Sequence, residues 1–90
     1  MADTTMLKLL KIDLQITSDK IDDLLVSILD GAETMLEGTG IRLEGTVEDD
    51  NLIRMYAAYL YRRRKDGDSG MPRMLRLAIN NRLFGQRGRG

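Results

Sequence analysis

Between Ile21 and Leu36 apolar residues return every three or four positions: Ile21, Leu24, Leu25, Ile28, Leu29, Ala32, Met35 and Leu36. That spacing follows the turn of an α-helix, about 3.6 residues, and gathers the apolar groups on one face that must be buried against something. A strand would instead alternate every second residue, which this stretch does not do. Thr17, Ser18 and Asp19 supply capping side chains just before it, and Asp22 and Asp23 place carboxylates near the positive end of its dipole. Gly31 weakens such a helix by about 1 kcal/mol relative to alanine, so close packing or a bend is expected there. Gly38 and Gly40 stop it.

The same pattern recurs on either side. Leu7, Leu10, Lys11 and Leu14 share one side of a shorter helix that Thr4 or Thr5 can cap, and Ile16 ends it. After a glycine-rich loop over 39–50, in which Ile41, Leu43 and Val47 are the residues expected to turn inward, Asp49 or Asp50 is expected to cap a third helix reaching about Lys65. This helix is apolar or amphipathic almost all the way round, from Leu52 to Tyr61, as suits a central helix or one covered on a second side by another chain. Arg62, Arg63, Arg64 and Lys65 then sit where cations complement the dipole. Pro72 suits the first turn of a fourth helix with an apolar stripe of Met71, Met74, Leu75, Ala78 and Ile79, expected to end near Asn80 to Arg82. The fold class expected is all-α: a small bundle of three to four helices spanning 1–84, followed by a flexible Gly/Arg tail over 85–90.

The 90-residue length supports one core and one domain. A domain of this size has only about 5 to 10 kcal/mol of stability, so contacts with neighbouring subunits weigh as much as its own interior. With neither cysteine nor histidine, the chain lacks disulfides, the usual zinc ligands, thiol nucleophiles and the commonest general base. An enzyme is therefore not expected, nor is any cofactor or metal. No apolar run approaches the roughly 20 residues that span a bilayer, and the start carries no secretory pattern, so folding in the cytoplasm is expected without membrane association.

Charge is unevenly spread. Residues 1–50 carry twelve acids and four bases, a balance of −8, whereas residues 51–90 carry ten bases and two acids, a balance of +8. If the two halves occupy different faces, the acidic face of one subunit meets the basic face of the next, the heterologous contact that builds rings or filaments. The alternative is pairing within the monomer, which would cancel both patches.

Other constellations reduce to simpler roles. Asp19, Asp22 and Asp23, like Glu48, Asp49 and Asp50, lack the alternating donors of a calcium loop and fit helix starts. The glycines at 38, 40 and 45 are not followed by the Lys-Ser/Thr pair of a phosphate loop. Arg62 to Lys65, with Tyr56, Tyr59 and Tyr61 before them, are candidates for a nucleic-acid surface. Four consecutive residues spread around a helix, however, which favours a solvated helix end or a protein interface. Arg87 and Arg89 form only a very short RGG-like segment.

The order of these elements resembles a known family. Leu9 to Ile41, LLKIDLQITSDKIDDLLVSILDGAETMLEGTGI, is similar to the N-terminal half of phage head-tail connector proteins, also called DNA-packaging or head completion proteins. The shared features are a leucine and lysine helix, a hinge at Ile16, an acidic start at Asp22 and Asp23, a Leu-Leu pair and a Thr-Gly turn. The alanine and tyrosine-rich helix with a basic end (Tyr56 to Arg64), a polar loop and a proline-started last helix (Pro72 to Arg82) follow the same plan. The likeness covers about residues 6–83; the loop at Arg42 to Val47 and the Gly/Arg tail depart from it. It implies a virion subunit that forms a homo-oligomeric ring beneath the portal protein, offers a platform to tail or stopper proteins, and lets DNA pass without sequence-specific binding. The subunit interface expected joins Asp19, Asp22 and Asp23 to Tyr59, Arg62, Arg63, Arg64 and Lys65 of a neighbour. Its rivals are a small nucleic-acid-binding module using the basic C-terminal half, and an adaptor that binds a partner helix in a groove.

Overall fold

A computed structural model describes residues 4–67 and 70–88, with side chains through Gln86. It contains four helices, α1 (Thr4–Leu14), α2 (Asp22–Gly38), α3 (Val47–Asp66) and α4 (Arg73–Gly88), and no strand among the described residues. This is the all-α bundle that the periodicity requires.

α1 closes with a turn that explains the break at Ile16. Gln15 takes the left-handed conformation (φ 59°), its N–H donates to the Ile12 carbonyl, and the Ile16 N–H reaches back to the Lys11 carbonyl at 2.8 Å. These two bonds satisfy carbonyls that the helix end would otherwise leave open. Gln15 is the one described non-glycine residue with positive φ, a conformation that costs about 1 kcal/mol or more for a residue with a Cβ.

The boundaries of the next two helices differ from expectation. α2 begins at Asp22 rather than at the Thr17–Asp19 cluster, and Ile21 at its N-cap makes no side-chain cap bond. Ser18 caps a tighter turn instead, its hydroxyl accepting from the Lys20 N–H at 3.1 Å. α3 is capped by Thr46, not by Asp49 or Asp50. The Thr46 hydroxyl accepts from the Asp49 N–H at 3.1 Å, and the Asp49 carboxylate accepts from the Thr46 N–H. This reciprocal capping box satisfies two backbone donors and moves the helix start three residues upstream.

The core is continuous through all four helices. Leu10 of α1, Leu25, Leu29, Ala32 and Leu36 of α2, and Ala57 of α3 are fully buried. Leu75 and Ile79 of α4 and Ile41 of the loop complete it. α3 packs against each of the other three helices and most extensively against α2, which makes it the central element. α4 runs back along α3: Ala78 lies by Leu52 and Met55, and Arg82 by Glu48 and Asp49. Beyond these, Gln86 reaches Arg42 in the loop.

Several side chains expected inside are outside. Met35 and Met74 belong to apolar stripes by spacing, yet both are exposed, and Val47 is exposed in the first turn of α3 rather than tucked inward. Met35 lies at the margin of its stripe, and Met74 on the outer side of α4. The fourth helix also continues past Asn80 to Arg82 as far as Gly88. The expected tail boundary at Gly85 thus falls within a helix, while Arg89 and Gly90 lie outside the described residues.

Candidate functional site

Two polar arrangements decide how much charge the monomer cancels. The first is at the start of α2. Lys11 of α1 donates to Asp19 at 2.7 Å and pairs with Asp22 at 2.9 Å. Hydrogen bonding to Asp19 and then to Asp22 holds the Lys11 ammonium above its ordinary value, and the same bond to Lys11 holds Asp19 below the ordinary carboxylate value. Two of the three acids expected at a subunit interface are therefore already engaged within the chain. Asp23 is exposed.

The second arrangement clamps the 39–46 loop between α3 and α4. Asp49, with 1% of its surface exposed, accepts from the backbone N–H groups of Glu44 and Thr46 and from the Arg82 guanidinium. Burial alone would push its carboxyl up. The Arg82 hydrogen bond, the Glu44 N–H, the Arg82 charge and the Thr46 N–H together outweigh that and leave it below the usual carboxylate value. One step along α4, Gln86 grips the loop backbone at both ends of one residue: its Oε1 accepts from the Arg42 N–H at 2.9 Å, and its Nε2 donates to the Arg42 carbonyl at 2.8 Å. Gln86 is itself buried. Sequence reasoning assigned Asp49 to a helix start and Gln86 to the tail. A carboxylate and an arginine 33 residues apart carry no local signal of their pairing, though Asp49 three residues after Thr46 is the spacing of a capping box.

A third ion pair, Arg54 to Asp13 at 3.0 Å, ties α3 to α1. The acidic and basic halves thus pair inside the monomer where Asp13 meets Arg54 and where Asp49 meets Arg82. Among the described residues no ion pair involves Arg62, Arg63, Arg64 or Lys65, which are exposed around the last turns of α3. Arg73 and Arg76 of α4 are likewise exposed and unpaired. Tyr59, expected at the interface, is half-buried and packs edge-on against Tyr56, ring centroids 5.9 Å apart.

No chemistry converges on these groups. No trio of acids among the described residues is arranged to hold a metal ion, and a cleft of about 360 Å³, lined by Glu44, Asp49, Arg82 and Gln86 among others, is the loop clamp itself. Among the described residues no helix is long and apolar enough to cross a membrane. A family model described as phage gp6-like head-tail connector protein matches residues 4–78. The chain belongs to this family. The match spans α1 to α3 and the first turns of α4, and takes in the core described above except Ile79. Among curated proteins and solved structures, no match was found. A head-tail connector is a structural component of a phage.

Proposed function

We propose that this connector is a ring-forming subunit of the virion, assembled in the host cytoplasm and seated between the portal and the tail or stopper proteins, with DNA passing through the ring. The observation that carries this reading is the uneven satisfaction of charge. The monomer closes its core and clamps its loop, yet leaves four adjacent cations at the end of α3 without a carboxylate partner among the described residues. In the ring they face the acidic start of α2 of a neighbour, Asp19, Asp22 and Asp23, with Tyr59 at the edge of the contact. Lys11 shares two of those acids, so Asp23 supplies the freest charge. Exposed ion pairs are individually weak and screened over roughly 8 Å at physiological ionic strength, so the contact relies on several acting together.

Sedimentation velocity at low and high salt, with and without portal protein, tests this. The expected result is a fast-sedimenting species at low salt that loosens as salt rises. A monomer under every condition, portal included, rules the ring out. The same exposed cations favour one rival, direct binding of duplex DNA through Arg62 to Lys65. That rival requires the monomer to bind plain duplex with an affinity falling steeply with salt; the connector reading expects little binding until the ring has formed.

A further inference from the structure

We propose that the outward face of α4, carrying Met74, Leu77 and Phe84, docks on the acidic face of α2 in a neighbouring copy of the chain. This rests on the ring reading and supplies the apolar part of a contact so far described by charge alone.

α4 is apolar on two sides. Leu75 and Ile79 face the core, with Gln86 on the same side gripping the loop. On the opposite side Met74, Leu77 and Phe84 fall in line along the helix and are 73%, 44% and 71% exposed. Isolated exposed apolar residues are ordinary, but three large ones aligned on one helix face, with a phenyl ring among them, are what a partner covers.

Charge identifies the partner. α4 carries arginines and no acid, and Arg73 and Arg76 are exposed beside the apolar line. α2 is the reverse, with Asp22, Asp23, Asp30, Glu33 and Glu37 and no base. Asp23 and Glu37, near its two ends and on the same side of the helix, are exposed. In the monomer α4 packs on α3, not on α2, so the two complementary helices meet only between copies. The surface is also continuous with the cations proposed to contact the same neighbour, because the short link over 67–72 joins the basic end of α3 to the start of α4. A purely basic helix face set against a purely acidic one favours the heterologous pairing and rejects like against like.

The test uses the full chain with portal protein, assembly being read by sedimentation and folding by circular dichroism. Phe84→Ser should weaken assembly about tenfold or more while leaving helical content unchanged; Leu77→Ser serves as the second variant if Phe84→Ser loses helix. Reversing the charges on either side of the contact, Arg73→Glu with Arg76→Glu, or Glu37→Arg, should each weaken assembly on the order of tenfold. Combining the three reversals should restore it, since both partners are then changed together while Asp23 stays in place for the α3 cations. Wild-type rings that form equally well from Phe84→Ser, Leu77→Ser and the reversed variants would overturn this proposal and leave the ring standing. Weakening by reversal on each side with no rescue in the combination would show that another molecule covers α4, which also overturns it. A wild-type chain that never assembles would remove the ring reading itself.

Discussion

Asp49 shows how one buried side chain fixes a loop, a helix start and a helix–helix contact together. Its folded-state carboxyl lies below the ordinary value of 3.8, so the charged form is favoured by folding. The stability this contributes is complete above that ordinary value and is lost as pH falls through it toward the folded value. Asp49→Asn is expected to lower stability by about 2 to 3 kcal/mol at neutral pH, because Arg82 loses its charge partner, and to flatten the loss below pH ~4. Urea unfolding across that range measures both. At Gly31 the sign is opposite. A Cβ built there meets nothing within 4 Å, so the close packing expected from its mid-helix position is not found inside the monomer. Gly31→Ala should raise the stability of the monomer by about 1 kcal/mol in the same assay. The contrast explains what was legible at this scale. Local preferences such as the Thr-Gly turn after α2 could be read from neighbouring residues, whereas the partner of Asp49 lies on another helix and leaves no trace in local spacing.

At the level of elements, every helix was legible and their ends were less so. Apolar periodicity reports burial, and burial is what all four helices share. Caps depend on which of several suitable side chains actually turns toward the backbone. Thr46 outcompetes Asp49 because the two satisfy each other, and Ser18 is spent on a turn before α2. The end of α4 was misjudged for a different reason. A Gly/Arg sequence has weak helix preference, but Gln86 finds both hydrogen-bonding groups of Arg42 and is buried doing so. Deleting residues 85–90 is therefore expected to cost about 1 to 2 kcal/mol and to speed hydrogen exchange at the Arg42 amide. Deletion of a segment without such contacts would leave both unchanged. Met35 shows the limit of the stripe argument, since a residue at the margin of an apolar face can end up on either side of the boundary.

For the molecule as a whole, the split between acidic and basic halves was visible in the sequence, but its fate was not, because pairing depends on which helices touch. The structure pairs Asp13 with Arg54 and Asp49 with Arg82, and leaves the end of α3 and the outer side of α4 basic. Of the expected interface residues, Arg62 to Lys65 and Asp23 stand at the surface; Asp19 and Asp22 are shared with Lys11, and Tyr59 is partly committed to Tyr56. On the proposed reading, a connector built this way keeps a closed core and holds charge and apolar surface back for its own copies. End-on electron microscopy of the chain bound to portal protein at low salt tests this most directly. Closed rings of repeated copies, dispersed by high salt, are the predicted images; single copies bound without rotational repeat would contradict the account.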